Sequence, residues 1–200
     1  MAAPIYQLKV ALQDIKPSIW RRIEVPSDTT LYLLHRTIQG AMGWTNSHLN
    51  QFITRDGEYY GIPSDDAFYD VTDERKIKIG HVLHKEKDSM YYEYDFGDGW
   101  NHKVVLEKIL ESEKGRTYPR LVKGKSACPP EDCGGVWGYA DLVETLKNPK
   151  HPEHEDMLEW LEIESGDEFN PEAFDLEARQ KEMMKSYHFG IKNKGKEFNF

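Results

Sequence analysis

Two stretches of this chain gather the residue types that could do chemistry. The first is Tyr94-Asp95-Phe96-Gly97-Asp98-Gly99-Trp100-Asn101-His102. The second is Ala127-Cys128-Pro129-Pro130-Glu131-Asp132-Cys133-Gly134-Gly135-Val136-Trp137-Gly138-Tyr139. Each pairs carboxylates with glycines, so each can turn tightly while presenting acids. If the two meet, Asp95, Asp98, His102, Glu131 and Asp132 could surround a divalent metal, with Cys133 beside them. Carboxylate oxygens suit magnesium or manganese, whereas His and Cys favour zinc. The interval from Cys128 to Cys133 is longer than the usual short-spaced zinc pair, and no second pair of cysteines exists, so a structural zinc site has little support. The alternative is structural or ligand-binding: an Asp in a Gly-Asp-Gly turn commonly bonds its own backbone. Trp100 adds an aromatic surface between the acids and His102. Both readings stay open at this level.

Arg21 joins the candidate ligand-binding set for a different reason. Arg21 and Arg22 are adjacent in a strand pattern and so point to opposite faces, which turns one of them toward a buried side. A buried guanidinium needs a partner, and the Asp95/Asp98 turn is the expected one. The other candidates are weaker. His81 with His84, and His151 with His154, would share a helical face but have no acids at fixed spacing, so solvated imidazoles are expected. The five tryptophans read as core and rim aromatics rather than a base-stacking platform. Lys114, Arg116, Arg120, Lys123 and Lys125 form a basic run without an intervening acid, the pattern of a solvated loop.

The elements that must position these residues are legible from periodicity. Tyr6, Leu8, Val10 and Leu12 alternate with polar residues, and after the Pro17-Ser18 break Ile19, Arg21, Ile23 and Val25 do the same, so an antiparallel hairpin is predicted. Ser27 or Asp28 should cap a helix carrying Leu31, Leu34, Ile38, Ala41 and Met42, closed by Gly40 to Gly43. A strand is predicted over 47–54 and a short edge strand at Tyr59–Pro63. Residues 64–88 give no clear element beyond a short helix or strand at Ile77–Leu83. Met90, Tyr92, Tyr94 and Phe96 then alternate into the Gly97-Asp98-Gly99 turn and return through His102, Val104 and Leu106, a second hairpin. Loop with one strand near Leu121-Val122 precedes three helices: one with Tyr139, Leu142, Val143 and Leu146, one opened by Pro152, and one starting at Phe169-Asn170-Pro171 and carrying Phe174, Leu176 and Met183. Strands first and helices last predict an α+β fold, mainly antiparallel, with one N-terminal helix and a C-terminal helical part packed on the sheet. The expected division is a body over 1–150, an acidic helical part of the same domain over 151–186, and a basic mobile tail over 187–200.

Bulk properties narrow the function. The net charge is −9, but residues 151–182 hold twelve acids against two bases while residues 1–150 hold 22 against 20. A neutral body with an acidic segment lacks the clustered cations that phosphate contacts need, so general nucleic-acid binding is not expected. No run approaches the roughly 20 apolar residues of a membrane span. Met1-Ala2-Ala3-Pro4 does not begin a signal peptide, and two cysteines make no disulfide framework, so a reducing cytoplasm is the expected location.

The two chemistry-bearing stretches resemble the signature of the Ri-plasmid ORF-3-like family, also labelled TnpR-like passenger proteins of insertion elements. Tyr6-Gln7-Leu8-Lys9-Val10, Pro17-Ser18-Ile19-Trp20-Arg21-Arg22 and Phe169-Asn170-Pro171-Glu172-Ala173-Phe174-Asp175 fit the same family, so the resemblance spans about residues 5–180. It implies an α+β fold and an association with plasmids and mobile elements, and it brings no catalytic residues. A resolvase is excluded on chemistry. The strand Ile5–Asp14 holds no serine nucleophile, and Tyr187 has only scattered lysines around it where a tyrosine recombinase needs gathered Arg and His. Walker, dinucleotide and Gly-x-Ser-x-Gly motifs are absent. Two functions remain: a non-enzymatic accessory module that binds a protein or small ligand through the acidic-aromatic surface, or a metal-dependent hydrolase or nuclease. In the second, Asp95, Asp98 and Glu131 or Asp132 would hold the ion, with His102 as general base. The two are separated by whether these side chains share one coordination sphere.

Overall fold

Period-two alternation of buried and exposed side chains builds the body of the molecule. The computed structural model describes residues 2–63 and 70–194. Strands β1 (Ile5–Leu12) and β2 (Trp20–Pro26) form the predicted antiparallel hairpin, with Leu8 opposite Ile23 and Val10 opposite Arg21. The second hairpin is β6 (Ser89–Tyr94) with β7 (Trp100–Leu110), and β7 also pairs with β1, which joins the two hairpins. With β3 (Asn50–Thr54), β4 (Tyr59–Gly61), β5 (Thr72–Asp73) and β8 (Arg120–Lys125), they make one sheet in the order β5-β4-β3-β6-β7-β1-β2-β8. All described pairings are antiparallel except β4 with β5. The fold is α+β with a mainly antiparallel sheet.

Three details differ from the sequence reading. Strand β4 is not an edge, because β5 lies outside it; the strand near Leu121 is six residues long and forms the opposite edge. The apolar residues from Ile77 to Leu83 surround a single 3-10 turn, Ile79–His81. Helix α1 (Leu31–Met42) is capped by Thr30, whose hydroxyl accepts from Leu33 N, and not by Ser27 or Asp28. Ser27 instead uses its backbone N–H on the Pro4 carbonyl, 2.8 Å away, tying the end of β2 to the chain before β1.

Helix α1 covers the inner face of the sheet. Leu31, Leu34, Ile38 and Met42 join Leu8, Val10, Ile23, Tyr92, Trp100 and Val104 in one apolar core. Polar groups within it find one another: His35 Nδ1 lies 2.8 Å from the Tyr92 hydroxyl, and Gln39 Nε2 donates to the same oxygen at 3.0 Å. The outer face carries charge, with Arg22 paired to Glu107 at 2.5 Å and Lys9 over the Trp20 ring.

The C-terminal part consists of α2 (Gly135–Lys147), α3 (His154–Leu161) and α4 (Leu176–Asn193). Helix α4 lies against α1 so closely that a Cβ on Gly40 would stand 2.5 Å from Met183 Cα. Its Gln180 accepts from the Leu121 N–H at 2.6 Å, which fixes the helix to β8. Phe174, expected inside the third helix, lies ahead of it, since Asp175 is the cap and accepts from Ala178 N. Helix α4 continues to Asn193, and the last six residues of the expected tail, like 64–69, lie outside the described residues. No described helix is long and apolar enough to cross a membrane.

Candidate functional site

The turn that joins β6 to β7 begins at Asp95, which takes the left-handed conformation at φ 58°. Its Oδ1 accepts from Gly97 N at 3.0 Å and Asp98 N at 3.3 Å, a side chain imitating backbone to close the loop. The start of α2 presses onto this turn. Asp98 Oδ2 accepts from Gly134 N at 3.2 Å, and Gly135, at φ 69°, sits where a Cβ would lie 2.3 Å from the Asp98 carbonyl oxygen. Only glycine fits there. The two stretches therefore meet, through backbone as much as through side chains.

The acids are largely engaged by the protein itself. Glu131 accepts from Thr45 N at 3.0 Å, from the Thr45 hydroxyl at 2.5 Å and from the Tyr94 hydroxyl. Burial, then that contact with Glu131, pushes the Tyr94 phenol well above its usual value. The 128–138 segment is pinned a second time by Trp44 Nε1, which donates to the Pro129 carbonyl at 3.0 Å.

His102 stands apart. It is 0% exposed, on the inner face of β7, with Nδ1 2.9 Å from the Trp100 carbonyl. That carbonyl can only accept, so Nδ1 carries the proton. Burial lowers the pKa from 6.5 to about 4, so the ring is neutral near pH 7. It packs edge-on against Trp44, within the aromatic layer that also holds the fully buried Trp100. His102 and Trp100 are core residues, and strand alternation is the reason: Trp100, His102 and Val104 all face inward. Cys133 is half-buried, and burial with the nearby Asp98 raises its thiol to about 12, which keeps it protonated.

Arg21 is 1% exposed on the inner face of β2, yet its partner is not the Asp95/Asp98 turn. Nε donates to the Ala41 carbonyl at 2.8 Å, and Nη1 to the carbonyls of Trp20 and Lys125 at 2.9 Å each. The sequence reading looked for a carboxylate because a buried charge calls for one; the C-terminus of α1 and the edge strand supply carbonyl oxygens instead.

What does converge is a trio. His48, Asp95 and Asp132 each offer one ligand atom, all within 4.8 Å of one another. His48 Nε2 lies 3.1 Å from Asp132 Oδ1 and 3.6 Å from Asp95 Oδ2. Asp132, like Asp95, is held at positive φ (61°). One imidazole and two carboxylates suit a divalent cation of intermediate hardness. Of the metal set drawn from sequence, Asp95 and Asp132 are in the trio, while Asp98, Glu131 and His102 are not. His48 escaped the sequence reading because it stands before β3, far along the chain from both acids, with nothing in its spacing to mark it. Leu49 and Phe96, which follow His48 and Asp95 in the chain, are exposed, and Trp137, in the first turn of α2, is 84% exposed.

Comparison with known proteins agrees with the two-stretch signature. The model of the family described as plasmid pRiA4b ORF-3-like protein matches residues 4–178. The chain belongs to this family. An uncharacterized protein of Sinorhizobium fredii, y4hQ, is 40% identical over 161 residues, covering 80% of this chain and 82% of the relative. The crystal structure of a protein of unknown function from Methanosarcina mazei shares 40% identity and superposes with a TM-score of 0.77, covering 88% of this chain and 98% of that one. The match takes in both strand hairpins and the 128–138 segment, so the turn and the helix start that clasp it lie within the family's span.

Proposed function

We propose that the chain is a non-enzymatic accessory module that binds a protein partner through the surface around Phe96, Asp132 and Trp137. The observation that carries this reading is Trp137: a large ring 84% exposed, next to a backbone junction made rigid by Gly134 and Gly135. Exposed aromatics on a fixed frame are the usual anchors of protein interfaces. The engagement of Glu131 and Asp98 by Thr45, Tyr94 and Gly134 supports the same reading, because these two acids are held by the chain and shape the surface. A family named for a plasmid reading frame fits an accessory role in the cytoplasm of a host that carries mobile elements. The test is a photo-reactive amino acid placed at position 137, with a second at the exposed Lys150 as control. The reading expects a discrete protein adduct from 137 alone, lost when Phe96 is changed to Ser. Equal labelling from both positions would refute it.

A second reading is favoured by one specific observation, the His48/Asp95/Asp132 trio, which could hold manganese, magnesium or zinc for a hydrolase or nuclease. His102 cannot be its general base, since it is buried and faces the core. Titration calorimetry with the three metals, on wild type and on His48→Ala and Asp132→Asn, decides whether the trio binds. Metal-dependent cleavage of a phosphodiester, lost in both variants, would establish the hydrolase over the module.

A further inference from the structure

The opposite side of the 128–138 segment borders a cleft of about 320 Å3 between the end of α1, Cys128–Glu131 and the approach to α4. Its floor is unusual. Arg21 donates to three carbonyls through Nε and Nη1, but Nη2 makes no hydrogen bond among the described residues, and no described carboxylate lies within 4.0 Å of the guanidinium. Backbone carbonyls satisfy donors without neutralising the charge. A second cation lines the same cleft: Arg179, whose Nη1 occupies the space a Cβ on Gly43 would need, 2.3 Å from that position. It too has no carboxylate within ion-pair distance among the described residues. Two acids also line the cleft; Glu131 accepts from Thr45 and Tyr94, and Asp175 from Ala178 N as the cap of α4, and both keep their charge, so an anion is held only where the guanidinium groups face it.

Apolar side chains make up part of the lining. The Phe174 ring stacks 4.6 Å from the Arg21 guanidinium carbon, and it lies so close to β8 that only glycine fits at position 124. Met42 and Trp44 close the other side. Burial, reinforced by Arg179 and opposed by Cys128, lowers the Arg21 pKa to about 10, so the charge persists at neutral pH.

We infer that this cleft binds a small organic anion, its carboxylate or phosphate between Arg21 and Arg179 and its apolar body against Phe174, Met42 and Trp44. Guanidinium forks match both oxyanions in bidentate geometry, and a cleft of this size suits a compact ligand. None of the trio, nor Phe96 or Trp137, lines this cleft.

The test is calorimetric titration of the whole protein with benzoate, phenyl phosphate and inorganic phosphate. One benzoate or phenyl phosphate per chain is expected, with inorganic phosphate weaker because it fills no apolar wall. The preferred organic probe tells a carboxylate ligand from a phosphate ester. Arg179→Ala, which removes a side chain without hydrogen bonds to the described residues, should weaken binding about tenfold or more, and Arg179→Lys should restore part of it. His48→Ala should leave it unchanged, which separates this site from the metal reading. Absence of saturable binding at millimolar probe, or equal affinity in Arg179→Ala, would overturn the inference.

Discussion

The 128–138 segment has two sides, and they treat charge in opposite ways. Toward the 95–99 turn it meets acids, and nearly every acid there is answered by a donor of the chain: Gly134 N for Asp98, Thr45 and Tyr94 for Glu131, turn amides for Asp95. Toward the cleft, where Glu131 and Asp175 also reach the lining, it meets Arg21 and Arg179, with neither of which any described carboxylate pairs. Satisfied groups hold a shape, whereas the unpaired charge of the buried Arg21 is a demand that something else must meet. The acids, the feature most visible in sequence, are mostly tied into the frame, while the sparser cations line the cleft.

The largest effect should come from breaking the cleft floor. Arg21→Met would strand the carbonyls of Ala41, Trp20 and Lys125, and urea denaturation should show a loss of about 3 kcal/mol or more. A loss below about 1 kcal/mol would mean that water serves those carbonyls equally well, and Arg21 would then be present for its charge alone.

Glu74, at the far end of the sheet, sharpens the same contrast with an acid that is incompletely answered. It is wholly buried, Oε2 accepts from Asn50 at 3.0 Å, and Oε1 has no partner among the described residues. Burial raises its pKa from 4.5 to about 8. A raised folded-state pKa contributes stability that is complete below the unfolded value and lost as pH rises from about 4.5 through 8. Glu74→Gln should remove that alkaline decline, worth on the order of a few kcal/mol, in denaturation curves taken from pH 5 to 9. His35 and His102 work in the other direction. Their folded values of about 3 and 4 lie below 6.5, so they contribute stability above 6.5 that fades as pH falls toward 4.

The two histidines that flank the turn should separate frame from surface. His102→Ala leaves a cavity in the aromatic layer and should cost about 2–3 kcal/mol with any metal affinity retained. His48→Ala should change stability by less than about 0.5 kcal/mol and abolish whatever metal affinity calorimetry detects. The reverse result would put His102, not His48, at the trio's work. The smallest effect on stability is expected for Trp137→Ser, within about 0.5 kcal/mol by thermal melting, because a ring so exposed buries little.

These residues also show what could be read before any fold was known. The β1–β2 and β6–β7 hairpins and α1 are local objects, written in alternation and helical spacing within a dozen residues. Their sequence outlines match the structure except at Phe96, which leaves the predicted alternation because β6 ends at Tyr94 and the turn starts at Asp95. The meeting of the 95–99 turn with the 128–138 segment was visible only as shared composition. His48 and Arg179 were not visible, because each gains its meaning from neighbours distant in the chain. Phe174 misled by sitting at helical spacing while serving as a wall beside Gly124. Thr30 was passed over as a cap because Ser27 and Asp28 come first and look as good. Strand alternation requires that one of Arg21 and Arg22 face inward and leaves open which, and the partners of Arg21 are not legible because backbone carbonyls leave no trace in side-chain identity.

Gly40 gives the cleft a further property. By letting α4 settle directly on α1, it fixes the stretch that supplies Phe174 and Arg179 as one wall, while the other wall belongs to the body. The pocket is thus a seam between two packed parts, and whatever fills it is linked to their docking by mass action. An occupant would tighten the C-terminal helix, and a loosened helix would release the occupant, so each becomes a gauge of the other.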